Sequence, residues 1–266
     1  MTQPAKALRR LGRLTSSFAN VQGVTTTMPS TVNKQRLLTQ LLTILKKRYE
    51  PLEPESRPVL EQLLYAICRE GTTRALADRA FHNLKERFFD WNEVRVSSPR
   101  EIAEALGEVP QAGERAQRLI SLLQEVFETT FSFDLDGLRK KGVKQAAKQL
   151  ARYQATNDFV VSWVVQRSLD GHAVPLDSPS LRVLRRVGLV EGDDNNLEAI
   201  RSSLEHVVPK AKAPLLAELL SALADELCVE DEPRCGSCPL CAECPTGQEA
   251  LRSPAALGRV NRPKPR

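Results

Sequence analysis

The chain has 266 residues, a formal net charge of +5, 27% charged residues and 5% aromatics. That length allows one large domain or two modest ones, and either can bury a core. Abundant charge with few aromatics points to a soluble helical protein and away from sandwiches and barrels. No apolar run approaches the ~20 residues of a membrane helix, so no span and no membrane partner is expected.

Residues 1–30 carry Lys6, Arg9, Arg10 and Arg13 with no Asp or Glu. They lack the apolar core of a secretory signal, and a disordered basic tail is the expectation. In a eukaryote the same composition would suit a transit peptide. From Asn33 the pattern turns helical, with Leu37, Leu38, Leu41, Leu42 and Leu45 on one face. Pro51 and Pro54 end that helix. Further helices are expected over 57–70, 73–89, 99–106 and 113–130, with breaks at Gly71 and Gly107. Two short pieces, 135–142 and 143–153, precede a break at 154–157. The β-branched run VVSWVV inside 158–169 reads as a buried helix because its neighbours are helical. After the Asp170-Gly171 turn, helices are expected over 178–187, 196–207 and 212–227. The end, 249–266, is a basic, Pro-rich tail. Basic tails suit a polyanion such as DNA, because neutralising phosphates releases counterions. The expected fold class is all-α.

The stretch CVEDEPRCGSCPLCAECP, residues 228–245, holds five of the six cysteines. CxxC spacing in a chain without a secretory signal favours metal over disulfides. Thiolate ligands suit an iron–sulfur cluster or a four-cysteine zinc site. Two ligand sets compete: Cys228, Cys235, Cys238 and Cys244, or the even run Cys235, Cys238, Cys241 and Cys244. The second approaches a ferredoxin-type run but is one residue short at its last interval. Cys68, on an apolar helix, reads as a core cysteine.

The first set, C-x6-C-x2-C-x5-C after the final long helix, resembles the endonuclease III and adenine-DNA glycosylase superfamily. A second segment carries the same resemblance. VPLDSPSLRVLRRVGLV matches the family's V-D-T-H-x-x-R-V-x-x-R-L-G-L at Asp177, Arg182, Val183, Arg186, Gly188 and Leu189, with Ser178-Pro179 in place of Thr-His. The resemblance implies a [4Fe–4S] cluster on Cys228, Cys235, Cys238 and Cys244, leaving Cys241 spare. It implies Asp177 as the catalytic carboxylate, although an acidic residue before Pro at a helix start is also an ordinary N-cap.

The family's third element departs. Its helix–hairpin–helix, L-P-G-V-G-x-K, corresponds to Tyr153–Phe159. Ala155 and Asn157 stand in the glycine places and Phe159 in that of the Schiff-base lysine. Asn tolerates the left-handed backbone, Ala only with strain. Asp158 there would repel phosphate. DNA contacts are expected at Ala155, Thr156 and Asn157, and at Glu70, in the place of the residue that fills the gap left by a flipped base. The loop 229–234 is acidic, which weakens a phosphate-binding role for it.

The domains implied are a six-helix barrel over 59–170 and a cluster domain made of 31–58 and 171–248. The activity implied is a monofunctional DNA glycosylase of base-excision repair, acting as a monomer on double-stranded DNA, without lyase chemistry. The expected location is the cytoplasm or nucleoid, or the nucleus or mitochondrion of a eukaryote. A non-lytic DNA-binding or damage-sensing homologue is the second reading, and an iron–sulfur redox module the third.

Overall fold

A computed structural model describes residues 31–50, 55–191 and 196–252. Both basic tails lie outside these residues, except that 249–252 complete the last helix, and so do Pro51 and Pro54. Among the described residues there is no strand, only α-helices and short 3-10 turns. The chain is all-α, as its periodicity predicts.

The helices are α1 (Thr31–Arg48), α2 (Val59–Arg69), α3 (Arg74–Arg87), α4 (Trp91–Val96), α5 (Pro99–Leu106) and α6 (Ala112–Thr130). They continue with α7 (Val143–Leu150), α8 (Asp158–Ser168), α9 (Ser178–Arg186), α10 (Leu197–Val207), α11 (Ala213–Glu226) and α12 (Pro245–Arg252). Side-chain caps start many of them, each satisfying an orphan backbone N–H. Thr73, Asp90, Ser98, Asn157, Asp177 and Asn196 cap α3, α4, α5, α8, α9 and α10. Ser98 and Glu101 form a full capping box ahead of α5.

Two helices were not expected from sequence. The six-residue α4 buries only Val94, too little for a visible period. The eight-residue α12 runs from the end of the expected cluster domain into the first residues of the expected basic tail, and Pro245 at its first turn is its start signal.

The apolar side chains gather into two cores. One runs from Val59 to Ala173 and centres on α2, whose residues are nearly all buried and pack on α8. The other joins Leu38, Leu41, Leu42 and Leu45 of α1 to residues from Val174 to Cys244, mainly on α9, α10 and α11. The chain therefore starts in the second core, builds the first, and returns between Ala173 and Val174.

An ionic group joins the two cores. Glu218 of α11 pairs with Arg167 at 2.9 Å and with Arg69 at 3.6 Å. Both guanidiniums lie over the Trp163 ring, at 4.7 and 5.7 Å from its centre. The two arginines are almost wholly buried. Burial pulls the Arg167 guanidinium below its usual range, and Glu218 opposes that.

Candidate functional site

Asp177 caps α9 at the junction of the two cores and is 7% exposed. Its carboxylate accepts the Ser180 N–H at 2.9 Å on one oxygen and the Gly71 N–H at 3.0 Å on the other. Gly71 follows α2 with φ of +63°, a left-handed backbone that L side chains adopt only with strain. One carboxylate thus ties the end of α2 in the first core to the start of α9 in the second. It lines a cleft of about 340 Å³ with Glu70, Arg115, Arg118, Ser178 and Arg182. That volume lies at the lower end of the range of small-molecule sites.

The cleft wall is cross-braced. Arg115 donates to the carbonyls of Ile67, Glu70 and Pro110, holding the end of α2 against α6. Its burial lowers its pKa from the ordinary arginine value, and the nearby Glu70 charge opposes the shift. Arg118 Nη1 pairs with Glu70 at 2.8 Å, and its Nε donates to the Ala155 carbonyl at 3.1 Å. Its buried Nη2 has no partner among the described residues. The other Glu70 oxygen accepts Asn157 Nδ2 at 2.6 Å. Glu70 is therefore held between α6 and the hairpin, where sequence comparison placed a wedge for DNA.

The hairpin differs from the expected geometry. Among the described residues, the non-glycine residues with positive φ are Gln111, Phe131 and Asp170. Ala155 is not left-handed, so the anticipated strain is absent. Asn157 has φ of −130° and accepts the Val160 N–H as the cap of α8. Thr156 donates its hydroxyl to the carbonyls of Leu150 and Tyr153. Asp158 is neutralised by Arg201 of α10 at 2.9 Å. Phe159 is buried and packs on Trp163 at 5.7 Å between ring centres. The side chains of Thr156, Asn157 and Asp158 are thus held by partners within the protein.

A cysteine cluster lies at the far end of α9. Cys228, Cys235, Cys238, Cys241 and Cys244 line one cavity with Leu223, Leu227 and Leu240 among its walls. Arg182 and Arg186 both donate to the Cys228 carbonyl, and Arg186 approaches the Cys228 sulfur at 3.5 Å. The Cys244 thiol donates to the Arg186 carbonyl at 3.0 Å. Burial raises the pKa of the Cys235, Cys238 and Cys244 thiols, so a positive centre is needed to hold them as thiolates. An all-thiol set in an apolar-walled cavity suits an iron–sulfur cluster chemically. Among the described residues, no three His, Cys, Asp or Glu side chains converge closely enough for a single metal ion. Cys241 lines the same cavity, and its sulfur would be 3.1 Å from a β-carbon at Gly247. The glycine leaves the room that the fifth thiol occupies.

Motif and spacing do not point to Arg115, Arg118 or Arg201, and they mark Gly71 only as a helix break. Arg115 could have been found, since it lies one turn before Leu119 on the apolar face of α6. The others act through contacts distant in sequence and leave no local signal.

This architecture, with an Asp-capped helix running from a cleft between two cores to a cysteine cluster, is the endonuclease III fold. A non-covalent endonuclease III–DNA complex superposes with a TM-score of 0.65 at 19% identity, over 83% of this chain and 99% of that one. A thermostable thymine-DNA glycosylase gives 0.61 at 18% identity, over 82% and 99%. By sequence, an endonuclease III homologue of Encephalitozoon cuniculi is 27% identical over 110 residues, 41% of this chain and 45% of that one. An Arabidopsis thaliana protein provisionally named a DNA glycosylase is 24% identical over 138 residues, 52% of this chain and 47% of its own length. The chain spans about half the length of these curated relatives. No protein-family model matches it.

Proposed function

We propose that this chain is a divergent endonuclease III-type protein of base-excision repair, and a monofunctional DNA glycosylase. The observation that carries the proposal is the Asp177 carboxylate, fixed by two backbone N–H groups in a cleft between two cores. A carboxylate held there opposes the positive charge that builds on the sugar as the C1′–N bond breaks. Water then attacks C1′ and the base departs with a proton. The fold, shared with proteins solved on DNA, supports duplex DNA as the partner.

Schiff-base chemistry has no support in the hairpin, because its lysine place holds the buried Phe159. Cys228, Cys235, Cys238 and Cys244 would hold a [4Fe–4S] cluster, which clips the C-terminal segment onto α9 and α11. In this reading the first core is the barrel domain and the second the cluster domain. The hairpin's lost glycines and lysine, with Asn157 used to cap α8, favour a second reading, a DNA-binding homologue that no longer cleaves glycosidic bonds.

The test is a panel of duplexes, each carrying one damaged or mismatched base. A monofunctional glycosylase leaves abasic sites that break only after alkali. Breakage without alkali, with borohydride trapping of the protein on DNA, would overturn the absence of lyase chemistry. No abasic product from any duplex that binds would select the second reading.

A further inference from the structure

The hairpin side chains Thr156, Asn157 and Asp158 are held within the protein, and the segment leading into the hairpin is strongly cationic. Between Asp136 and Asp158 the sequence has no acidic residue. It has Arg139, Lys140, Lys141, Lys144, Lys148 and Arg152. Arg139 is used structurally, pairing with Asp136 and donating to the Ser168 and Arg57 carbonyls. Lys141 donates to Gln149. Lys140, Lys144, Lys148 and Arg152 are exposed, and no ion pair among the described residues involves them.

The rest of the barrel contrasts with this. Lys85 pairs with Glu61, Arg87 with Glu104, and Arg79 with Glu108. Paired charges produce little outward field, whereas a run of unpaired cations attracts a polyanion. The geometry of α7 organises that run. Ala146 and Leu150 are buried, which fixes the helix against the core. Lys144 and Lys148 are four residues apart, so they stand one turn above the other on one face. Ala151 continues the helical backbone, with φ of −67° and ψ of −4°, and carries Arg152 out beside the hairpin.

We infer that α7 is a phosphate-binding rail, on which Lys144, Lys148 and Arg152, flanked by Lys140, grip one backbone strand of duplex DNA. Side-chain cations here anchor the strand beside a hairpin without left-handed turn residues, with Asn157 extended and Ala155 buried. Such contacts read no sequence; they fix position and make affinity strongly salt-dependent. The inference rests on the DNA-binding reading above.

The experiment measures duplex affinity of the full chain by fluorescence anisotropy over a range of salt concentrations. The variants are K144Q/K148Q, R152Q, the charge-keeping K144R/K148R and the control K85Q. Each removed phosphate contact makes the slope of log affinity against log salt shallower by about 1, so K144Q/K148Q should lose roughly 2. R152Q should lose roughly 1, while K144R/K148R and K85Q keep the wild-type slope. Circular dichroism should show all four folded, since every substituted side chain is on the surface. An unchanged slope in K144Q/K148Q, with wild-type binding intact, overturns the rail and leaves the DNA-binding reading standing. A wild-type protein without duplex affinity removes both. Binding to anionic lipid vesicles in place of duplex also overturns the inference.

Discussion

Replacing Asp177 by alanine should separate its architectural role from its chemical one. The substitution removes two acceptors at once, for Ser180 N–H and for Gly71 N–H. Losing an Asp N-cap costs about 1 kcal/mol. A hydrogen bond to a charged group contributes roughly 1.5–3 kcal/mol net of the bond to water that replaces it. The sum is about 2.5–4 kcal/mol. For a protein of this size each kcal/mol shifts Tm by roughly 2–4 °C, so the drop should be on the order of 10 °C. Asp177→Asn keeps one carbonyl oxygen, so it should lose roughly half as much. Thermal unfolding followed by circular dichroism measures both. An Asp177→Ala protein that melts with the wild type would refute the bridging role of the carboxylate between α2 and α9.

Other outcomes follow from the same contacts. Glu218→Leu should destabilise the chain by about 3–5 kcal/mol in urea unfolding, because it leaves Arg69 and Arg167 buried beside Trp163 without a counter-charge. Phe159→Lys, which restores the family's residue type, should yield no borohydride-trapped complex. It should also lower stability, since the ammonium would replace a ring packed on Trp163. Cys228→Ala, Cys235→Ala, Cys238→Ala and Cys244→Ala should each lose the iron and the visible absorbance of the purified protein, whereas Cys241→Ala should keep both. Retention of stoichiometric zinc in colourless wild-type protein would refute the cluster.

The helices and their buried faces were legible in the sequence because apolar spacing at 3.6 residues records burial directly. The capping of α5 and α9 was written locally too, in Ser98-Pro99 and Asp177-Ser178-Pro179. The short α4 left no period to read. The hairpin was legible as a loss of glycines, but its actual backbone was not. Asn157 tolerates either a left-handed turn or an extended cap, and only the position of Val160 N–H decides between them. Asp158 looked like a phosphate-repelling charge, and Arg201, 43 positions along the chain, neutralises it. Likewise, nothing near Glu70 in sequence marks it as restrained, yet Arg118 and Asn157 hold both of its oxygens. Local pattern reports what a residue prefers; distant partners report what it is free to do.

The central claim is that Asp177 carries glycosidic-bond cleavage in this fold. The direct measurement is single-turnover base excision by wild type and Asp177→Asn, on a duplex that the wild type processes, below the melting transition of both proteins. Loss of a preorganised charge at the reacting centre should slow excision on the order of 10²-fold or more, with duplex affinity nearly unchanged. Excision at the wild-type rate by folded Asp177→Asn would contradict the account and reduce Asp177 to a helix cap.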